Sequence, residues 1–352
     1  MSRSAPVVLL VVLLTACGGQ SNVSQASPTP AASTPSPSPV ASPTPAAVPA
    51  YAVLATPNTS ANYTVTLIDT QGNPVATATA TGWNGSLTCA GVATALLPPL
   101  ISASNSKVYF EDSAGVVHFL TPAGATGKAT TVPVGAARRS IFSVSPDDKR
   151  IAVVVSDFGA NKATIRVYVE NLSGGGNHVQ IFTSSGSTSL WPVGWHAGNL
   201  VLAKVPACIQ SEAFGCCSPS ELHVVRPANG VRLFTIGGSA CTVSGPSTPV
   251  GTPCLTSANV ARVLDWAGVT LRTVQLPFKR LTYLSPDGQH LAYQTDGGTV
   301  VGGQTPPLQM GVCGWIDNTH IVDSGHIGDI TTGSVAAITT TAECAGRIPG
   351  GL

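Results

Sequence analysis

The chain has 352 residues, of which 17 are Lys or Arg and 16 are Asp or Glu, so that only 9% are charged and the formal net charge is +1. Soluble domains carry about 25% charged residues, and a balance this neutral excludes an electrostatic nucleic-acid binder, which needs a basic face. The 43% apolar content excludes a charge-rich disordered chain, while 37 Gly and 28 Pro disfavour long helices and favour short strands joined by turns.

The first seventeen residues combine a positive Arg3, an apolar stretch from Ala5 to Leu14, and the tetrapeptide Leu14-Thr15-Ala16-Cys17. The stretch is too short for a spanning helix, which needs about 20 residues. Leu-Thr-Ala-Cys resembles the lipobox of bacterial lipoproteins. The resemblance implies a signal peptide over residues 1–17, whose cleavage leaves a lipidated Cys17 at the new N-terminus, where several acyl chains suffice for stable anchoring. Gly18 rather than Asp follows the cysteine, so the inner-membrane retention signal of two-membrane bacteria is missing. The expected location is the extracytoplasmic face of a cell membrane or an outer membrane. The longest later apolar run, around Cys89 to Ile101, is interrupted by Pro98 and Pro99 and is too short to span.

Residues 18–50 hold no charge and eight prolines among Ser, Thr and Ala. Each residue before a proline is held extended, so this segment reads as a disordered, polyproline-like tether.

Residues 51–352 form the expected globular region, and within it two hairpin types recur. The first is a strand, a polar turn and an apolar strand, as in Phe142-Ser-Val-Ser-Pro-Asp-Asp-Lys-Arg-Ile-Ala-Val and Thr282-Tyr-Leu-Ser-Pro-Asp-Gly-Gln-His-Leu-Ala-Tyr. A Gly-Trp version occurs at Pro192–Leu202 and Val312–Val322, and a weaker copy at Ile101–Phe110. The second type carries a glycine in its turn, at Gly72, Gly115, Gly174 to Gly176, Gly230, Gly268, Gly297 and Gly333. These turns are spaced by about 43 residues on average, and a four-stranded propeller blade needs about 40–45. The fold class read from this period is all-β: a β-propeller of about seven blades, with six or eight left open by an excess of residues near 205–220 and a weak unit near 240–260. The first unit lacks a leading hairpin, so the tail from Thr341 to Leu352 is expected to supply its missing strand and close the ring. The Ser-Pro-Asp-Gly…Leu-Ala-Tyr signature resembles the WD40-like repeats of the Tol-system propeller and of other bacterial envelope propellers, most closely over residues 139–185 and 278–340.

Setting aside Cys17, eight cysteines remain, an even number in a chain read as exported, so disulfides are the expectation. Cys241 and Cys254 bracket a Ser/Gly/Pro/Thr loop, and Cys313 and Cys344 flank the last unit. Cys208, Cys216 and Cys217 share one insertion whose ends one bridge would tie, leaving one of the adjacent pair for Cys89. No C-x₂-C spacing suggests zinc.

Motifs for chemistry are sparse. The chain has no G-x-S-x-G elbow, H-E-x-x-H or Walker loop, and Ser104-Asn-Ser-Lys107 fits S-x-x-K in letters only. His320, Asp323, His326 and Asp329 fall within ten residues around a turn, and imidazole and carboxylate donors so grouped form a candidate divalent-metal site. Structural hydrogen bonds within propeller repeats are the competing reading of the same residues. Trp83, Trp195, Trp266 and Trp315 sit beside turns, where they either pack between blades or present a glycan-stacking surface. No cofactor is expected. The resulting functional expectation is a lipid-anchored, non-enzymatic binding or scaffolding propeller at the cell envelope. Its partners would be envelope proteins or glycans, not nucleic acid. The alternative is an exported propeller-fold enzyme, a lyase, glycosidase or similar, with His, Asp and Arg converging at the channel mouth.

Overall fold

The computed structural model describes residues 49–57, 62–82, 89, 101–159, 162–207, 219–339 and 342–352. The expected signal peptide, Trp83, Cys208, Cys216, Cys217 and nearly all of the tether lie outside the described residues. Within them every regular element is a strand.

In chain order, β1 (Tyr51–Pro57), β2 (Asn62–Ile68) and β3 (Pro74–Thr81) come first. A four-stranded sheet follows: β4 (Ile101–Ala103), β5 (Val108–Glu111), β6 (Val116–Leu120) and β7 (Thr126–Thr131). The third is β8 (Arg138–Val144), β9 (Arg150–Phe158), β10 (Ala163–Asn171) and β11 (Val179–Ser184). The fourth is β12 (Thr188–His196), β13 (Asn199–Pro206), β14 (Glu221–Val225) and β15 (Arg232–Gly237). The fifth is β16 (Thr242–Val243), β17 (Thr252–Leu255), β18 (Val260–Leu264) and β19 (Thr270–Gln275). The sixth has three strands, β20 (Thr282–Leu284), β21 (Leu291–Thr295) and β22 (Gly298–Val301), with a single Thr299–Leu308 bridge at its edge. The seventh is β23 (Gly314–Trp315), β24 (His320–Val322), β25 (His326–Asp329) and β26 (Ser334–Ala337). The last strand, β27 (Glu343–Ile348), returns to pair antiparallel with β1, so the first sheet reads β27-β1-β2-β3.

Each sheet is a blade, and blades meet their neighbours all the way round. Strand β27 lies against β4, β4 against β8 and β8 against β12; β14 and β15 meet β16, β17 meets β20, β20 meets β23 and β23 meets β27. The fold is therefore a seven-bladed propeller closed by its C-terminal strand. The first hairpin type joins the two inner strands of its blade at all five expected places. The second type is less uniform than its spacing suggests. Gly115 and Gly297 turn between the second and third strands, and the outer turns of those blades fall instead at Gly124 and Gly302 to Gly303.

Burial explains the strand sequences. Inner and middle strands are covered on both faces by adjacent blades and so read as continuous apolar runs, such as Ile151–Val155 and Leu200–Ala203, every residue of which is buried. The apolar clusters accordingly lie between blades. Outermost strands pack on one side at most; Ser334–Ala337 of β26 is exposed throughout. Turn chemistry repeats from blade to blade. In both Ser-Pro-Asp turns the serine hydroxyl donates to the aspartate (Ser145 to Asp147 and Ser285 to Asp287, each 2.6 Å) and accepts the amide of Arg150 or His290 at 2.9 Å. The fourth turn residue has positive φ in each, +60° at Asp148 and +72° at Gly288. An aspartate likewise accepts two turn amides at Asp69, Asp112 and Asp265.

Candidate functional site

The inner strands enclose a central cavity of about 1170 Å³. Its wall is mostly apolar side chain and backbone, contributed by Ile101, Phe142, Trp191, Val193, Tyr283, Val312 and their neighbours on other blades. Among the described residues, three acidic or basic side chains line it, Asp323, Glu343 and Arg347, and no histidine does. Asp323 is already committed: its carboxylate accepts the amides of Gly311 (2.7 Å), Gly325 (2.7 Å) and His326 (2.6 Å). Arg347 is different. It sits on β27 beside Ala52 of β1, partly buried, with no hydrogen-bond or ion-pair partner among the described residues. Burial alone lowers its guanidinium to about 10, which leaves it charged at neutral pH.

Beyond β27 the chain runs along one mouth of this cavity. Gly350 donates its amide to the Ser104 carbonyl at 2.9 Å and lies so close to β4 that a Cβ there would meet the Ala103 oxygen at 2.4 Å. Leu352 donates its amide to the Trp195 carbonyl at 3.0 Å and accepts from His196 Nδ1 at 2.7 Å. Its side chain fills the space a Cβ on Gly194 would need. The last residues thus connect the first blade to the second and fourth.

The described tryptophans next to turns, Trp195, Trp266 and Trp315, are held by packing and hydrogen bonds within and between blades. Trp195 Nε1 donates to the Ser143 carbonyl at 3.3 Å and Trp315 Nε1 to the Tyr283 carbonyl at 2.9 Å, each tying its blade to the preceding one. Trp266 Nε1 donates to Thr248 and Pro249 carbonyls within its own blade, while its ring stacks on His196 of the neighbouring blade at 4.8 Å. All three are buried, as an indole with a satisfied N–H can be.

The four residues grouped as a candidate metal site do not converge. His320 Nδ1 bonds Asp317 (2.9 Å), His326 Nδ1 bonds Asp323 (3.1 Å), and Asp329 accepts from the amide and hydroxyl of Thr331 in the outer turn. Those turn bonds hold Asp329 at about 2, with the Thr331 hydroxyl contributing most. Among the described residues, no group of three or more His, Cys, Asp or Glu side chains is placed to hold a metal ion. The hairpin separates them: His320 and Asp329 are cross-strand partners at one end, while His326 lies at the other. Other histidines are similarly engaged at the periphery, His118 with Asp112, His178 with Glu170 and His223 with Glu221, and His290 stacks on Trp315.

Two expected disulfides are present. Cys241–Cys254 (Cα–Cα 5.5 Å) spans the inner strands of the fifth blade, and Cys313–Cys344 (5.9 Å) joins the start of the last blade to β27. Cys89 is buried and also disulfide-bonded; the bridges expected of Cys208, Cys216 and Cys217 fall outside the described residues.

One buried ionisable cluster went unread in the sequence. Glu111 of β5 and Arg139 of β8 are both buried between blades, and Tyr63 of β2 donates to the Glu111 carbonyl at 2.5 Å. Burial raises Glu111 well above the ordinary carboxyl range, with Asp112 adding to the rise and Arg139 opposing it. Its place deep between blades, away from the cavity lining, marks it as structural.

No protein-family model matches this sequence, and no curated protein matches it. Solved structures match at low identity. BamB from Moraxella catarrhalis is 12% identical, with 86% of this chain and 88% of that one covered and a TM-score of 0.38. Saccharomyces cerevisiae Sqt1 is 12% identical over 69% of this chain and 85% of that one (TM-score 0.38). Prolyl oligopeptidase B from Galerina marginata is 9% identical over 84% of this chain (TM-score 0.40), and this chain spans only 43% of its length. The propeller assignment rests on the sheet topology, not on these likenesses.

Proposed function

We propose that this protein is a non-enzymatic binding or scaffolding propeller, held by a lipid on Cys17 at the extracytoplasmic face of a cell or outer membrane. The observation that carries the non-enzymatic reading is the cavity lining. An exported propeller enzyme would gather His, Asp and Arg at the channel, and among the described residues only one aspartate, one glutamate and one arginine line it, with the aspartate consumed by backbone amides. Recognition then falls to the loops around the two mouths, which a propeller presents in quantity. A surface poor in charge favours partners read by shape and short-range hydrogen bonding, envelope proteins or glycans. The Leu14-Thr15-Ala16-Cys17 motif supports the anchor, and the Pro/Ser/Thr segment over 18–50 serves as its spacer.

Metabolic labelling with an alkyne fatty acid tests the anchor: the wild-type chain takes up label and sediments with membranes, and Cys17→Ser does neither. An unlabelled wild-type chain overturns the anchor. Pull-down from detergent-solubilised membranes tests the binding role, with a stoichiometric protein or glycan partner as the expected result.

A further inference from the structure

We infer that the central cavity binds a small amphiphilic oxyanion, a carboxylate or phosphate group attached to an apolar body, with Arg347 as its counter-ion. This inference rests on reading the chain as a binding module and adds a ligand class to it.

Among the described residues, Arg347 is a partly buried cation with no hydrogen-bond or ion-pair partner. A desolvated charge left unpaired is costly, and folded proteins normally supply a carboxylate or carbonyl to such a group. Arg138 and Arg166, by contrast, both reach Asp157, and Arg280 reaches Asp296. Arg347 is instead among the residues that line the cavity. The nearby negative charges do not serve it. Asp323 is neutralised by three backbone amides. Glu343 makes no ion pair with Arg347, and four residues of extended strand set their backbones about 13 Å apart. An incoming oxyanion would therefore meet one unengaged guanidinium, whose planar fork suits the two oxygens of a carboxylate or phosphate.

The remainder of the ligand follows from the rest of the wall. Ile101, Phe142, Trp191, Val193 and Val312 line the same space, and a cavity of about 1170 Å³ exceeds the roughly 300–1,000 Å³ of most small-molecule sites, so it has room for such a ligand. The wall offers one unengaged cation beside largely apolar side chains, which describes an amphiphile with one anionic end.

Trp191, Trp195 and Trp315 border the cavity, so intrinsic fluorescence reports occupancy. The purified full chain is titrated with decanoate, decyl phosphate, inorganic phosphate and decanol, in parallel with Arg347→Met and Arg347→Lys. Saturable binding of decanoate or decyl phosphate is expected, at least ~10-fold tighter than decanol, with Arg347→Met removing that preference and Arg347→Lys restoring part of it. Arg347→Met folds and melts no lower than wild type, because it removes a partly buried charge that no described residue pairs. Decanol binding as tightly as decanoate, or an anion affinity unchanged in Arg347→Met, overturns the role of Arg347. Inorganic phosphate binding as tightly as decyl phosphate overturns the apolar half of the site. Failure of every probe overturns this inference alone, because the membrane pull-down reads partners of the mouth loops and does not involve Arg347.

Discussion

Replacing Cys313 and Cys344 together by alanine probes how the ring is closed. The bridge joins the start of the last blade to β27, the strand that completes the first blade, and the two cysteines are 31 residues apart. Loop-closure entropy for that span gives about 3.7 kcal/mol of stabilisation at 25 °C. Unfolding entropy of about 2.1 cal/mol/K per residue, taken over roughly 300 residues, converts this to a fall of about 6 °C in melting temperature. The Cys241–Cys254 bridge spans 13 residues, so the same reasoning gives about 2.9 kcal/mol and about 5 °C for its double alanine variant. Loop entropy thus separates the two bridges only slightly; their positions separate them more. Loss of Cys313–Cys344 also frees β27, which is held otherwise by its pairing with β1, the buried Ile348 and the tail contacts to Ser104, Trp195 and His196. Calorimetry under non-reducing conditions, with hydrogen exchange resolved by strand, is the assay. The expected result is the 6 °C loss together with faster exchange confined to β27 and β1. A melting temperature within about 1 °C of wild type would refute the reasoning, as would a loss of stability with β27 exchange unchanged.

Further expectations concern single side chains. Ser285→Ala removes an acceptor for the His290 amide and a donor to Asp287, costing about 1–2 kcal/mol by denaturant melt, and Ser145→Ala adds independently because its turn belongs to a distant blade. Glu111 is raised by burial from its ordinary 4.5, so its contribution is fully present below pH 4.5 and is lost as pH rises through its folded value. Glu111→Gln should therefore gain melting temperature relative to wild type with rising pH, and a pH-independent difference would contradict the assignment. Asp329 shows the opposite sign: held at about 2 against an ordinary 3.8, it contributes above pH 3.8 and fades as pH falls through 2. The stability gap between wild type and Asp329→Asn should close across that window in acid melts. A chelator should leave the melting curve unchanged, since His320 and His326 are each bonded to a single carboxylate.

Much of the fold was legible because its determinants are local. Ser-Pro-Asp closes its turn through bonds within five residues, and the repetition of Ser-Pro-Asp, Gly-Trp and the turn glycines marks the blades in the sequence. The closing strand and two disulfides followed from the gap such a count leaves in the first unit and from cysteines flanking single units. Where reasoning from proximity in sequence failed, geometry explains the failure. His320, Asp323, His326 and Asp329 crowd into ten residues, yet a hairpin sends them to opposite ends and each aspartate is taken by its own turn. Gly115 and Gly297 matched the spacing of outer turns while lying between the second and third strands of their blades, since turns at both places use glycine. Arg347 was invisible for the converse reason. Nothing in Gly-Arg-Ile-Pro-Gly-Gly marks it, and its surroundings are assembled from strands distant in the chain.

The central question is whether the propeller binds rather than catalyses. The most direct measurement is quantitative pull-down of the full, membrane-extracted chain, compared between wild type and Cys17→Ser expressed in the same cells. A protein or glycan partner recovered in fixed proportion with the wild type, and depleted when the anchor is lost, is the predicted result. Recovery of the chain alone, together with a co-purifying turnover abolished by substituting Glu343 or Arg347, would contradict it.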